Sequence, residues 1–190
     1  MPIYNTPVKL VQFKKQTLRV PERSAYLAQQ GVTNGVQTAT GYAFLPENPI
    51  TRGEFALMVA RWQGLDLESY AGVELPFADA DQIPDWCRTA VQAMYAEGVM
   101  KGSLEGENLY ANAQKGINRV EAMAILGRLQ IKGYPTTQPE FLDAGQIPAW
   151  SLEHVKTLVS QGVVGGYEGY LRPLDGVKRC EVAKMLVTLM

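Results

Sequence analysis

The strongest constraint on this chain is that it repeats itself. The ten residues from Phe77 to Trp86 (FADADQIPDW) return with three changes from Phe141 to Trp150 (FLDAGQIPAW), at an offset of 64 residues. Twelve residues after each tryptophan a Gly-Val-x-x-Gly segment begins, at 98–102 and 162–166, and a third copy lies at 31–35. Such internal similarity indicates a repeat architecture.

Each Gly-Val-x-x-Gly segment is followed, after a loop, by a second signature of the form x-Arg-x-Glu. Its arginines are Arg52, Arg119 and Arg179, which are 67 and 60 residues apart. Three matched copies of two separate signatures are not a chance pattern. The sequence therefore predicts three repeats that together form one compact module, with boundaries at residues 1–70, 71–134 and 135–190.

Each repeat has the pattern of a helix, a loop and a second helix. In the second repeat, the segment 85–97 carries Val91, Met94 and Tyr95 on one helical face, and Gly98 is a typical helix stop. The second helices begin at the arginine signature and carry apolar residues at helical spacing. Their predicted core residues are Phe55, Met58, Val59 and Trp62, then Ala122, Ile125, Leu126 and Leu129, then Val182, Met185, Leu186 and Leu189.

Two amphipathic helices cannot bury both of their apolar faces within one repeat. Three copies can close around a common axis and share one core, and the apolar fraction of 46% allows such a core without metal or disulfide support. The sequence therefore predicts an all-α fold in which three helix-loop-helix repeats close into one pseudo-threefold helical bundle.

Charge and hydropathy argue against several classes of function. The formal net charge is −1 and the cations are spread along the chain, so the sequence lacks the basic stripe of a nucleic-acid binder. No run of about 18 apolar residues occurs, so we expect no membrane insertion. Residues 1–20 also lack the apolar core of an export signal.

The sequence contains few of the residues from which catalytic and metal sites are built. His154 is the single histidine, and the spacing of Cys87 and Cys180 fits neither a zinc site nor a Cys-x-x-Cys motif. Two reduced thiols and one disulfide are both compatible with that spacing. Asp79 and Asp81 lack the longer oxygen-rich loop of a calcium site. We therefore predict a chain with no catalytic residues, no metal and no cofactor.

The second signature lies at predicted helix starts. Thr51 with Glu54, and Asn118 with Glu121, form capping boxes, whereas Lys178 has no side-chain acceptor for such a cap. Each signature arginine falls at the first helical position, where the helix dipole makes a cation mildly unfavourable. Two partners can offset this: an acidic residue of a neighbouring repeat, or an external anion held by the guanidinium and free helix amides together.

Further candidate ligand contacts lie in the loops between the helices. Gly35, Gly102 and Gly166 either let a ligand approach the backbone or supply a left-handed turn. Trp86 and Trp150 are expected to pack in the core or at its rim. Loop aromatic residues either offer faces for sugar rings or fold back onto the core. These aromatic residues are Tyr42, Phe44, Tyr110, Tyr167 and Tyr170.

These residues together resemble the S-layer homology domain. The resemblance covers about residues 9–190, and its closest stretch is 162–173, followed by Arg179 and Glu181. The segment 51–54 (TRGE) differs by one letter from the Thr-Arg-Ala-Glu of that family. Three tandem copies are the usual arrangement of the family.

The resemblance implies a three-pronged spindle that binds secondary cell-wall polysaccharide non-covalently, often through pyruvate ketals on an amino sugar. It implies that Arg52, Arg119 and Arg179 line grooves between repeats and face the carboxylated sugar. The implied location is extracellular, at the bacterial cell wall or S-layer, with neighbouring surface-layer proteins as further partners. A module for self-assembly or for binding another surface protein is the alternative.

Two departures from the family pattern predict that the three grooves are unequal. In the first repeat, Leu10, Gln12 and Arg19 stand where the phenylalanine, aspartate and tryptophan are expected. In the other two repeats, Asn118 and Lys178 replace the usual threonine.

Overall fold

The structure is a computed structural model that describes residues 18–130 and 136–190, so Leu10 and Gln12 lie outside the described residues. Within those ranges each repeat contributes two α-helices. These are α1 Val20–Gln29, α2 Arg52–Trp62, α3 Asp85–Ala96, α4 Arg119–Arg128, α5 Leu152–Ser160 and α6 Arg179–Leu189. Short 3-10 turns lie at Leu67–Tyr70, Ala80–Gln82, Ala144–Gln146 and Ala149–Ser151.

The helix ends follow the local signals in the sequence. The backbone after α3 turns at Gly98, whose φ of 69° is in the left-handed region. The side chain of Thr51 accepts a hydrogen bond from the Glu54 amide at 3.2 Å, and Asn118 caps α4 in the same way. Lys178 makes no side-chain cap, as predicted, and its ammonium group instead pairs with Glu47 at 2.8 Å.

The chain is helix-rich, as the predicted all-α class requires, and two inter-helix loops add short antiparallel strand pairs that were not predicted. A two-residue turn joins the strands of each pair, a length that favours hairpin pairing. In the third repeat Arg179 lies only 13 positions after Gly166, against 17 positions in the other repeats, and a single bridge joins Tyr167 to Tyr170. The pairs are β1 Val36–Thr38 with β2 Gly41–Ala43, and β3 Ser103–Glu105 with β4 Asn108–Tyr110.

Helix packing joins neighbouring repeats rather than the two helices of one repeat. Helix α2 packs on α3, α4 packs on α5, and the last helix α6 packs on the first helix α1. The predicted second-helix faces are buried, and Phe55, Val59 and Leu186 have no exposed surface. Trp62 and Leu129 cover the edge of the same core. Each repeat thus completes its core with apolar side chains of another repeat.

Backbone hydrogen bonds form a closed ring among the three repeats. The amide of Ile50 donates to the carbonyl of Val177, that of Val177 to Ile117, and that of Ile117 back to Ile50, at 3.0 to 3.1 Å. All three residues are buried. Because each residue directly precedes the signature of its repeat, the ring brings the starts of α2, α4 and α6 close together.

Two further findings concern the cysteines and the membrane prediction. Both thiols are free. Cys87 is buried, and burial raises the pKa of its thiol to about 11.

Among the helices of the described residues, none has the length and apolar character that crossing a membrane requires.

Candidate functional site: three grooves between repeats

Each signature arginine forms an ion pair with the signature glutamate of the next repeat. The pairs run from the first repeat to the second, from the second to the third, and from the third back to the first. The partner is therefore an acidic residue of a neighbouring repeat, the first of the two alternatives left open by the sequence. The pairs are Arg52–Glu121 at 2.8 Å, Arg119–Glu181 at 2.6 Å and Arg179–Glu54 at 2.9 Å.

Each signature glutamate uses its two carboxylate oxygens for two different interactions. In Glu54, Oε2 accepts the amide proton of Thr51 at 2.9 Å, while Oε1 receives Arg179. Glu121 and Glu181 divide their oxygens in the same way. A capping box therefore fixes the carboxylate, and the fixed carboxylate fixes an arginine that arrives from another repeat.

The N-terminal amides that an external anion would share with the arginine already donate hydrogen bonds within the protein. In α2, the amide of Arg52 donates to Lys115 and that of Gly53 to Ala113, both carbonyls of the second repeat. Corresponding bonds from α4 reach Asp175 and Pro173, and those from α6 reach Asn48 and Pro46. Of the two alternatives, the one that requires free N-terminal amides does not hold, because loop carbonyls of the next repeat bind these amides when the repeats pack.

The three guanidinium groups are held to different degrees. Nε of Arg52 donates to the carbonyl of Ala111 at 2.9 Å, and Nε of Arg179 donates to Phe44 at 2.8 Å. Nε of Arg119 is buried without a hydrogen-bond partner. The Arg119 side chain is 16% exposed, against 6% for Arg52 and 4% for Arg179. Arg119 is thus the least constrained of the three.

Three grooves open beside these ion pairs, one on each repeat. Each is lined by the signature arginine of the preceding repeat and by the second glycine of the repeat's own Gly-Val-x-x-Gly segment. Their volumes of about 530, 460 and 340 Å³ fit the size of small-ligand sites. Groove A contains Arg179, Gly35, Tyr42, Glu54, Arg61 and Trp86; groove B contains Arg52, Gly102, Lys101, Glu121, Arg128 and Trp150; groove C contains Arg119, Gly166, Tyr167, Arg172, Glu181 and Lys184.

Each groove carries more cations than carboxylates. Groove A has two cations and one carboxylate, while grooves B and C have three cations and one carboxylate each. The whole chain has a formal net charge of −1. The fold therefore collects positive charge in the grooves, where an anionic ligand is favoured.

Exposed aromatic side chains stand at the groove walls. Trp86 is 53% exposed in groove A and Trp150 is 56% exposed in groove B. Both come from the repeat that follows the one on which the groove is built. Tyr42 and Tyr167 are also exposed in their grooves. These faces can stack on sugar rings.

Sequence reasoning missed several groove residues. Trp86 and Trp150 were expected to pack in the core or at its rim. A tryptophan at the same helix start in two repeats can also line a groove between repeats. Arg61 and Arg128 lie nine residues after Arg52 and Arg119, so the repeat spacing itself marks both cations. A cation at the same position of two repeats is the sequence signal for this pair.

The glycines and two of the predicted aromatic residues have packing roles. Gly35, Gly102 and Gly166 all have left-handed φ values, of 78°, 74° and 68°. A Cβ atom on Gly102 would lie 2.6 Å from the ring of Phe77, and one on Gly166 would meet Phe141 in the same way. Phe44 is buried against Arg179, and Tyr110 is half-buried outside the lining of groove B.

The aspartates of the first signature hold turns. The carboxylate of Asp79 accepts the amides of Ala111 and Asn112, at 2.7 and 2.8 Å. Asp143 holds Leu171 and Arg172 in the same way. The described part of the chain contains no group of three or more histidine, cysteine, aspartate or glutamate side chains placed to hold a metal ion.

Comparison with known proteins finds the same three repeats. The sequence profile of the S-layer homology domain matches residues 25–56, 76–107 and 140–183, one segment in each repeat and more than half of the chain in total. The chain is 28% identical over 168 residues to an endoglucanase of Bacillus sp. (strain KSM-635), covering 86% of this chain and 17% of that protein.

Two relatives from Acetivibrio thermocellus are also similar. A cellulosome-anchoring protein is 27% identical over 156 residues, covering 77% of this chain and 33% of that protein. Cell surface glycoprotein 1 is 29% identical over 157 residues, covering 76% of this chain and 6% of that protein. The chain thus spans a third or less of the length of these relatives. With three profile matches placed on its three repeats, the chain belongs to the S-layer homology domain family and is an extracellular, cell-surface module.

Proposed function

We propose that this chain is a non-catalytic anchoring module that binds anionic, pyruvylated cell-wall polysaccharide non-covalently in grooves A, B and C. The observation that carries the proposal is the excess of cations over carboxylates in all three grooves of a chain whose net charge is −1. Exposed Trp86 and Trp150 add faces for sugar rings beside that charge. A ketal-bearing saccharide has both a carboxylate, which the cations can bind, and a sugar ring, which the tryptophans can contact.

The proposal includes a closed pseudo-threefold spindle. The packing of α6 on α1 and the ring of backbone hydrogen bonds among Ile50, Ile117 and Val177 support this closure. Closure matters for binding because every groove takes its signature arginine from a different repeat than its glutamate.

The relatives support the anchoring part. A cellulosome-anchoring protein and a cell surface glycoprotein both contain a segment similar to this chain. The endoglucanase is matched over only 17% of its length, which is compatible with an appended module and a separate catalytic region. We infer that this chain holds a larger protein at the cell surface.

Binding to purified wall polysaccharide tests the proposal. The polymer would be compared before and after mild acid treatment that removes its pyruvate ketals. We expect the chain to bind the native polymer and to lose at least about tenfold in affinity after treatment, because each groove loses a carboxylate partner. Equal binding to both forms would contradict ketal recognition, and no binding to either would contradict the wall-binding function.

A second candidate function is self-assembly, with neighbouring surface-layer proteins as partners. Exposed apolar side chains on the third repeat favour it. Leu142 is 74% exposed, Tyr167 66%, Leu174 57% and Tyr170 43%. Sedimentation at increasing concentration distinguishes the functions: a rising mass without polysaccharide binding supports self-assembly, and a constant mass with binding supports anchoring.

A further inference from the structure

The first repeat contains an asparagine directly before the second glycine of its Gly-Val-x-x-Gly segment. This pair is Asn34 with Gly35, and no other asparagine of the chain is followed by glycine. The second and third repeats have Lys101 and Gly165 at the position of Asn34. Asn-Gly is the dipeptide in which an asparagine side chain loses ammonia most readily, because glycine has no Cβ atom to hinder its own backbone nitrogen.

The structure leaves this pair accessible. Asn34 is exposed and lines groove A, and both residues lie between α1 and β1, outside helices and strands. The amide of Gly35 donates to Oγ1 of Thr33 at 3.1 Å. That hydrogen bond joins the amide to a side chain two residues away, so it can open without unwinding a helix or unpairing a strand. Secondary structure therefore does not restrain the two groups that would react.

The fold requires the glycine of this pair but not the asparagine. Gly35 has a φ of 78°, and a Cβ atom there would lie 2.7 Å from the carbonyl oxygen of Ala43. At position 34, by contrast, the other repeats carry a lysine and a glycine in the same segment. The reactive pair thus depends on residue 34 alone, and replacing that residue leaves the required backbone in place.

We propose that Asn34 is a site of spontaneous deamidation whose product places a carboxylate in groove A. The backbone nitrogen of Gly35 gives up its proton and attacks Cγ of Asn34, so a C–N bond forms as the bond from Cγ to the side-chain nitrogen breaks. That nitrogen leaves as ammonia with the displaced proton, and a cyclic imide remains. One water molecule then opens the imide at either carbonyl, which gives aspartate or isoaspartate, and no oxidant or reductant takes part.

The product changes the charge balance of groove A. The groove holds Arg61 and Arg179 against Glu54 before the reaction, and the new carboxylate makes the numbers equal. Grooves B and C keep their excess of cations, because Lys101 lines groove B and Gly165 lines groove C at the corresponding position. Under the proposed function, groove A alone then binds its anionic ligand less tightly. The loss of ligand rests on that function, whereas the modification itself does not.

Peptide mapping by mass spectrometry tests the modification. The folded chain would be incubated at neutral and at mildly alkaline pH and sampled over several weeks. We expect the mass increase that accompanies conversion of an amide to a carboxylate to appear in the peptide that contains Asn34, ahead of every other asparagine. The rate should rise with pH, because the attacking nitrogen of Gly35 must lose its proton.

The chain itself supplies the matched controls. Asn34→Lys and Asn34→Gly place the residues of the second and third repeats at this position, and both should show no mass change there. A parallel incubation in urea gives the rate of the unfolded pair. Conversion of Asn34 in urea but not in the folded chain would overturn the inference. Conversion in the folded chain that is no faster than at the exposed Asn108 would overturn it as well.

The variant Asn34→Asp reproduces the charge of the product and tests the effect on binding. With purified wall polysaccharide, we expect this variant to bind about two- to fivefold more weakly than the unmodified chain, which is the effect of one exposed charge. Asn34→Lys should not weaken binding. Equal affinity of the Asn34→Asp variant and the unmodified chain would overturn the effect on groove A. If the fresh chain binds no polymer at all, the proposed function fails, and the mass measurement still decides whether Asn34 is modified.

Discussion

Arg52 lies in the first turn of α2, yet its side chain is only 6% exposed and contacts the second repeat through both Nη1 and Nε. The carboxylate it meets is fixed by the capping box of α4. An arginine at this position is unfavourable for an isolated helix. It becomes favourable when a neighbouring repeat supplies a carboxylate and a carbonyl, so its first role is to join repeats.

We expect Arg52→Gln to lower the free energy of unfolding by about 2–4 kcal/mol, because Glu121 keeps its charge in a mostly covered position without its partner. Arg119→Gln is the matched comparison. It should cost less, about 1–2 kcal/mol, because Arg119 is more exposed and its Nε already lacks an acceptor. Urea unfolding followed by circular dichroism measures both variants. Equal losses would show that the Nε contact contributes little.

At the scale of elements, α4 and α5 approach closely at a glycine that the sequence did not single out. A Cβ atom on Gly127 would lie 2.6 Å from Cβ of His154, so glycine permits this close approach. The pKa of His154 is lowered, first by burial and then by the cations Arg128 and Lys101, while Glu153 on its own helix acts in the opposite direction. Lys101 and Arg128 also line groove B.

This arrangement predicts a pH-dependent stability. Unfolded, His154 titrates near its ordinary pKa of about 6.5, whereas the folded chain takes up the proton only at lower pH. The stabilising contribution of neutral His154 is therefore complete above pH 6.5, and is lost as the pH falls from there toward the folded pKa. Urea midpoints of the unmodified chain and His154→Gln should diverge on acidification, with the unmodified chain losing more.

Parallel pH profiles for the two proteins would contradict this role of His154. The comparison isolates the histidine because the carboxylates that also titrate at low pH are present in both proteins. An anion bound in groove B would offset the charge of Arg128 and Lys101, so it should reduce the divergence.

At the scale of the whole molecule, the three repeats depend on one another. Ion pairs, helix-start amides and the ring of backbone hydrogen bonds all run between repeats. Helix α1 contributes fewer buried side chains to the shared core than α3 does. Leu27 is its one buried residue, whereas α3 buries six. Removing one repeat would leave one signature glutamate and one signature arginine without a partner and would uncover apolar faces.

Amide hydrogen exchange tests this interdependence. The amides of Ile50, Ile117 and Val177 should exchange with the same free energy, equal to that of global unfolding, because breaking any one of the three bonds opens the shared ring. Exchange followed by nuclear magnetic resonance under native conditions measures them separately. Faster exchange at Ile50 and Val177 than at Ile117 would show that the third repeat detaches from the other two on its own, because those two bonds are the ones that hold it.

The sequence by itself determined the number of repeats, the starts and the apolar faces of α2, α4 and α6, and the end of α3 at Gly98. These features depend on residues close in the sequence: a capping box covers four positions, a glycine stop acts at one, and a helical face repeats every three to four residues. The sequence also predicted that each signature arginine lies at the first helical position, because that position follows directly from the capping signals. Short strands in the loops escaped prediction because each has only three residues.

Only the tertiary structure decided what each arginine contacts and which residues share a groove. The Arg52–Glu121 and Arg119–Glu181 pairs join neighbouring repeats, and Arg179 reaches back 125 residues to Glu54. Trp86 and Trp150 became groove walls because α3 and α5 pack on helices of the preceding repeats. The physical reason is that repeat spacing fixes which positions correspond, whereas the packing of one repeat on the next fixes which of them meet.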